Sequence, residues 1–354
     1  MSFPSVPSLS KSSINKAGKD IARNLLQGDE RRVALSKINA WRVAHAYPIN
    51  TFVATLRKKT RKYPDPVVAQ RLKRLPTILD KLKRQPHMDL TRMQDIGGVR
   101  AILSSIDDLK SLRNDYVEKG RFSHALIDED DYVAVPKSDG YRGIHLIYSY
   151  NNTLSRTSDP SQYKGLLVEL QMRTQLQHSW ATAVETVGVM RSEALKSQKG
   201  NRDWLDFFEY VSSVFAIAED SPILPQHENM STIEIFEHAY RLIKDLNVLE
   251  VLKGWSVATG AIHKEGAGGY YNIILLNKTT KMVRIIGYAK DFVKEASAKY
   301  AELEIEASSN GTPEPVLVSA GDLENLKKAY PNYFLDIKKF ASHIEEIVET
   351  VKKD

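Results

Sequence analysis

The sequence predicts an α+β protein, in which a mixed, mainly antiparallel sheet is flanked by helices. Three observations lead there. Short, branched apolar runs of strand length stand at 99–103, 131–135, 144–150 and 165–172, separated by loops rich in Asp, Gly, Ser and Pro. Around them, apolar residues recur at helical spacing. The glycine-rich turn and the regular strand–helix rhythm of a parallel dinucleotide-binding sheet are missing.

Taken in order, residues 1–15 lack periodicity and are expected to be loosely attached. Residues 16–62 read as two helices broken near Tyr47-Pro48. Residues 67–84 read as a third, with Val67, Val68, Leu72, Leu75, Ile78, Leu79 and Leu82 on its apolar side. Val99 to Leu103 reads as a buried strand, and 106–119 as a helix stopped by Gly120. Three strands follow, then a helix over 174–200. Helical pattern returns over 202–253, broken at Pro222 and Pro225. From Gly254 the composition shifts. Strands are expected at 256–263, 270–277 and 282–288, a helix at 290–304, a strand at Val316–Val318, and two closing helices. The reading is of two units, 1–253 and a small α/β unit at 254–354, with no internal repeat.

Composition narrows the class. The chain of 354 residues is 42% hydrophobic, ordinary for a folded protein. No run approaches the roughly 18 to 20 apolar residues of a membrane helix, and the polar, proline-marked start lacks the pattern of a secretory signal. The expectation is a cytoplasmic protein with no membrane partner. The absence of cysteine excludes disulfides and thiolate zinc sites. The net charge is +6, and eleven basic residues crowd between Arg57 and Arg84 against two acids, Asp65 and Asp80. Such a block suits a polyanion, a triphosphate or RNA; the plain alternative is a solvated helix face.

Three segments carry chemistry. In the first, Arg71, Arg74, Thr77 and Lys81 share one side if the segment is helical, with Lys73 beside them; cations there suit phosphates, and an arginine plane suits a base. In the second, Met93-Gln-Asp95-Ile-Gly-Gly-Val-Arg100, the Asp95 carboxylate precedes a buried strand and suits Mg²⁺, two glycines allow close backbone approach, and Arg100 in an apolar run needs a partner. An Asp–Arg pair fixing the junction is the plain alternative. The third combines a loop, Pro136-Lys137-Ser-Asp-Gly140-Tyr141-Arg142-Gly143-Ile-His145, with a strand, Val168-Glu169-Leu-Gln171-Met-Arg173-Thr. An aromatic residue between glycines and beside cations suits base stacking. Glu169, Gln171 and Arg173 alternate, so they project from one face; the plain alternatives are a half-exposed edge strand and, for Tyr141, a hairpin tip.

Together, R-x-K-x3-T-x3-K, Q-D-I-G-G-V-R, P-K-x-x-G-Y-R-G-I-H and V-E-L-Q-M-R-T resemble the synthetase domain of the RelA/SpoT family over residues 45–200, with Thr77 where serine is usual. The resemblance implies an ATP-dependent pyrophosphokinase. Arg71 and Arg100 would sandwich the adenine of ATP, and Lys73, Thr77 and Lys81 would bind its phosphates. Asp95 and Glu169 would hold Mg²⁺, with Glu169 also the base. Tyr141 would stack on the acceptor base, while Lys137, Arg142, His145, Gln171 and Arg173 orient acceptor and phosphates. No His-Asp dipeptide occurs, so the family's hydrolase half is not expected. The segment from Gly269 and the stretch Ala329-Tyr330-Pro-Asn-Tyr333-Phe334 resemble fused toxic small alarmone synthetases of the CapRel type, whose C-terminal unit is a zinc-finger-like domain without metal ligands. That implies a built-in antitoxin, tRNA as acceptor at its 3′-terminal adenosine, and a phage major capsid protein as activator. Tyr330, Tyr333 and Phe334 are the residues expected to lie against the synthetase site in the off state; the plain alternative is a tyrosine-rich helix cap packed on its own domain. The alternatives are a (p)ppGpp synthetase using GDP or GTP, and a non-catalytic RNA- or partner-binding protein on the same fold.

Overall fold

The computed structural model describes residues 3–118, 122–152, 160–191, 195, 200–258, 262–265, 269–277, 280, 282–310, 315–319, 323–331 and 337–353. Three helices open the chain: α1 (Lys11–Ala22), α2 (Gly28–Val43) and α3 (Ala46–Thr60). Ser10 caps α1 by accepting from Ser13 N at 3.1 Å. The segment before it is not loosely attached, as expected, but packed: the Phe3 ring meets Tyr47 edge-on at 5.2 Å, and Val6 N donates to Gln162.

The expected helix over 67–84 is two elements, β1 (Val67–Leu72) and α4 (Leu75–Arg84). Pro76 marks the true start. It has no amide to donate and falls at the second helical position, where none is needed. Upstream, Val67-Val68 favours the pleat, and β1 finds partners on both sides. Next come β2 (Gly97–Leu103), α5 (Ile106–Val117), β3 (Ala125–Asp131), β4 (Ile144–Ser149), β5 (Leu167–Thr174) and α6 (Gln175–Arg191). The strand expected at 131–135 lies earlier, because Asp131 Oδ1 accepts from Val133 N and Ala134 N, both at 2.9 Å, and turns the chain.

Helices α7 (Arg202–Ala218), α8 (Thr232–Asp245) and α9 (Val248–Ala258) follow, then β6 (Ile262–Glu265), β7 (Tyr271–Leu276), β8 (Val283–Tyr288), α10 (Val293–Asn310), β9 (Pro315–Ser319), α11 (Leu323–Ala329) and α12 (Lys338–Lys353). The strand expected from 256 is helical to Ala258. None of these helices is long and apolar enough to cross a membrane.

Among the described residues, nine strands form one sheet in the order β3-β4-β5-β2-β1-β9-β7-β8-β6. It is mixed and mainly antiparallel, as expected: β2–β5 and β6–β8 are the parallel pairs. The join between early and late strands is β1–β9, with Gln70 opposite Ser319 and Arg71 opposite Val318. Side-chain alternation gives the sheet two faces. Leu72, Val99, Ala101 and Leu170 pack under α1 to α5 and against Ala296 and Tyr300 of α10. Val67, Ala69, Ile102 and Val318 pack on the other face against Leu326, Ala329 and Tyr330, beside Val189 and Met190 of α6. A separate apolar cluster joins α6 to α9 with α12. The second face, between α6 and α11, carries the polar residues singled out above.

Candidate active site

Three neighbouring strands, β1, β2 and β5, line a cleft with Arg71, Gly98, Arg100, Glu169 and Gln171, and Tyr330 closes one side of it. Register explains the convergence. Arg71 pairs with Gly98 and Ala69 with Arg100, so the two arginines are diagonal neighbours on one face. Gly98 pairs in turn with Glu169 and Arg100 with Gln171 across the parallel ladder. His145 on β4 sits opposite Gln171. Arg71 and Lys73 therefore reach the site by strand alternation, not from a helix face. Thr77 and Lys81 lie half-buried on α4 just beyond. The glycine pair divides its duties: Gly98 lines the cleft, whereas a Cβ on Gly97 would stand 2.9 Å from Ile49, so that residue serves the approach of α3.

The carboxylates are both held ionised. Asp95 Oδ2 receives Lys73 Nζ at 2.6 Å and its Oδ1 receives Lys81 Nζ at 3.1 Å. Burial alone would raise the Asp95 carboxyl, but the two ammonium groups outweigh it and hold it at about 2. Lys73, 9% exposed, is drawn down by burial against the pull of Asp95. The expected alternative of an Asp95–Arg100 pair is not what forms; Arg100 donates to Gln171 Oε1 at 3.0 and 3.2 Å, and weakly to Ala329 O at 3.5 Å.

Glu169 anchors a relay. Its Oε1 meets His145 Nδ1 at 2.9 Å and its Oε2 accepts from Gln171 Nε2 at 2.8 Å. His145 Nε2 meets Tyr141 OH at 2.6 Å, and Arg173 Nη2 donates to the same phenol oxygen at 2.6 Å. Each ring nitrogen of His145 thus has one partner, the Glu169 carboxylate at Nδ1 and the Tyr141 hydroxyl at Nε2. Burial pushes the Glu169 carboxyl up, yet His145 brings it below the ordinary value, with the Asp95 charge opposing. The guanidinium of Arg173 lies over the Tyr141 ring at 4.8 Å. Tyr132, which the sequence reading passed over, completes an aromatic cluster with Tyr141 at 5.9 Å and His145 at 5.4 Å. Lys137, exposed, stands 4.2 Å over the Tyr132 ring.

Arg142 departs from its expected role as an acceptor ligand. It is 3% exposed, and its head donates to Ser212 Oγ at 3.0 Å and to Pro222 O at 2.7 Å. It fastens the loop to α7. Gly140 makes that docking possible: at φ +92°, a Cβ there would lie 2.8 Å from Trp180 and 2.9 Å from Ser212.

The end of α11 and the residue after it lie against this site. Tyr330, 3% exposed, donates its hydroxyl to Gln70 O at 2.6 Å. Lys328 O meets His178 Nε2 at 3.1 Å. His178, on α6, went unmarked in the sequence, since a histidine on a helix carries no local signal of its partner. Burial first, then the charges of Arg100 and Arg173, keeps its imidazole neutral. The space left in the cleft is about 10 Å³, room for roughly one water molecule. Tyr333 and Phe334 lie outside the described residues.

The dominant electrostatic feature is excess positive charge. Burial, then Arg173 and Arg71, lowers Arg100 to about 10. Three guanidinium groups share the site with two carboxylates that already have partners, so a polyanion entering it would relieve their repulsion. Asp95 and Glu169 also feel each other's charge. Two hard oxygen donors under mutual repulsion fit a divalent cation such as Mg²⁺. Among the described residues, no group of three or more His, Asp or Glu could hold a metal, so the remaining ligands would come from substrate and water.

Residues 70–188 match the region found in RelA/SpoT proteins. Over 121 residues the chain is 33% identical to GTP pyrophosphokinase YjbM of Bacillus subtilis (strain 168), covering 34% of this chain and 54% of that protein. Over 117 residues it is 31% identical to GTP pyrophosphokinase YwaC of the same strain, covering 32% and 52%. The chain thus spans about half the length of these relatives. Small alarmone synthetase 1 from Bacillus subtilis, solved with its product pppGpp, aligns at a TM-score of 0.42 and 23% identity, covering 50% of this chain and 89% of that one. The matched stretch contains the strands β2 to β5, the helix α4 and the charged residues of the cleft.

Proposed function

We propose that this protein is an ATP-dependent pyrophosphokinase, transferring the β,γ-pyrophosphate of ATP to a ribose hydroxyl and releasing AMP. The observation that carries the reading is a single cleft lined by Arg71, Arg100 and an ionised Glu169, whose carboxylate is backed by His145 and, through it, by Tyr141 and Arg173. Arg71 and Arg100 bracket the adenine, and Lys73, Thr77 and Lys81 neutralise the phosphates. Tyr141 stacks on the acceptor base, with Lys137, His145, Gln171 and Arg173 around it. Glu169 accepts the hydroxyl proton as oxygen bonds to the β-phosphorus and the bond from that phosphorus to the AMP oxygen breaks. Mg²⁺, held by Asp95 and Glu169, would neutralise charge on the transferred group. Positioning of both substrates supplies much of the rate.

The proposed acceptor is tRNA, at the 3′-hydroxyl of its terminal adenosine, which would block translation. The basic block of 57–84 suits a nucleic-acid face. The second reading, (p)ppGpp synthesis from GDP or GTP, is favoured by the names of the relatives. Residues 254–354 act as a regulatory unit: Tyr330 holds the cleft shut until a phage protein, the major capsid protein, engages that unit. The test uses γ-labelled ATP with tRNA or GDP and the Tyr330→Ala protein. Label in tRNA supports the first reading, and label in guanine nucleotide the second. Label in neither, with ATP intact, overturns the pyrophosphokinase assignment and leaves a binding protein on a synthetase fold.

A further inference from the structure

We propose that Glu304, on the C-terminal unit's α10, is a positioning residue for the helix that holds the ATP phosphates, so that this unit completes the site from behind as well as covering it in front. The inference rests on the assignment of Lys73, Thr77 and Lys81 to those phosphates.

Helix α4 begins without a cap of its own. Its N-cap residue, Arg74, makes no side-chain cap bond, and the first turn contains no acid. The first intrahelical bond runs from Ile78 N to Arg74 O at 3.0 Å. Of the three residues before Ile78, Pro76 has no amide, and Leu75 N donates to Glu304 Oε1 at 2.9 Å. That leaves Thr77 N as the first-turn amide for a ligand. A carboxylate on the first amide also complements the helix dipole.

Glu304 is itself tightly held. Tyr300 OH donates to its Oε1 at 2.7 Å, and Arg42 forms an ion pair with it. The Arg42 guanidinium lies over the Tyr300 ring at 4.9 Å, donates to Asn39 Oδ1 at 2.7 Å and reaches Lys73 O at 3.5 Å. Arg42, Tyr300 and Glu304 are 1%, 0% and 2% exposed. Residues 73–75 are therefore gripped by Arg42 and Glu304 on the sheet face opposite Tyr330, and they carry Lys73, the partner of Asp95. Detaching the whole C-terminal unit would strip both the buried Arg42 and Leu75 N of a partner. Opening the cleft is thus a movement of α11 and Tyr330, while α10 stays on α4.

The test uses the full chain with Tyr330→Ala and compares two further double substitutions. Arg42→Met with Glu304→Gln removes the buried charges but keeps an oxygen for Leu75 N; Arg42→Met with Glu304→Met removes both. The Met/Met protein is expected to show a roughly tenfold higher KM for ATP, and the same rise in its Kd by equilibrium dialysis. Its kcat and acceptor KM should stay within twofold, and the Met/Gln protein should recover most of the ATP affinity. Equal ATP affinity in the two proteins overturns the inference. So does a loss that follows the thermal midpoint rather than the cap. Should the Met/Met chain not fold, hydrogen exchange at Leu75 in the Tyr330→Ala protein with ATP decides: protection is expected, and free exchange overturns the proposal. If no pyrophosphate is transferred at all, the pyrophosphokinase reading fails, while the dialysis comparison still tests Glu304.

Discussion

Replacing Tyr330 by alanine is expected to open the cleft and raise untriggered activity. The ring is 3% exposed and its hydroxyl lies 2.6 Å from Gln70 O. Truncating a buried aromatic side chain costs ~3–5 kcal/mol. Only the part of that burial made on closing bears on the equilibrium, since packing the ring keeps on its own helix when open cancels; the backbone contacts of Ala329 O and Lys328 O and the β1–β9 pairing are untouched by the substitution. Taking about 2 kcal/mol as specific to the closed arrangement, the ratio of closed to open falls roughly 30-fold at 1.4 kcal/mol per tenfold. Tyr330→Phe keeps the ring and loses the hydroxyl bond, worth about 1 kcal/mol, or roughly fivefold. The assay is the initial rate of label transfer from γ-labelled ATP at concentrations below KM, where rate follows the open fraction. The expected order is Ala above Phe above parent. Rates equal within about twofold, or Phe exceeding Ala, would refute the idea that Tyr330 closes the site.

Two further outcomes follow from the geometry. Glu169→Gln should lower kcat by about 10²–10⁴ while leaving ATP binding, measured by dialysis, largely intact; a loss confined to binding would remove Glu169 from the proton-transfer role. Stability should also fall in mild acid because of His45, which is 1% exposed and pushed down by burial from 6.5 to about 4. Its folded-state value lies below the unfolded one, so the contribution is complete above pH 6.5 and lost as pH falls through about 4, of order 3 kcal/mol in all. Urea midpoints between pH 7 and 4.5 read this directly, and His45→Gln should flatten the slope; an unchanged slope excludes His45 as its source.

Much of the site was legible along the chain wherever the signal was local. The period-two spacing of Glu169, Gln171 and Arg173 placed all three on one face, and the strand bears it out. The glycine-flanked Tyr141 with His145 four residues on also emerged as a unit, since both belong to one loop and the strand it enters. Arg71 and Lys73 were assigned to the site by type but to the wrong element. A short apolar run ahead of a proline can be either helix or strand, and β1 is decided by partners lying roughly thirty and two hundred and fifty residues away. Arg142 was misread because nothing local distinguishes a cation aimed at a ligand from one bonded to Ser212 and Pro222. Its neighbours in space are distant in the chain.

The sequence by itself determined the α+β class, most of the elements, and the residue types gathered for phosphate and base chemistry, because these rest on periodicities of two and 3.6 and on side-chain chemistry. Only the tertiary structure decided that the late strands join the early sheet through β1 and β9, that Tyr330 lines the cleft, and that Glu304 caps α4 against Arg42. Those contacts join segments more than two hundred residues apart. Which distant edge, amide or cation finds a partner is set by packing the whole chain, and no local pattern encodes it.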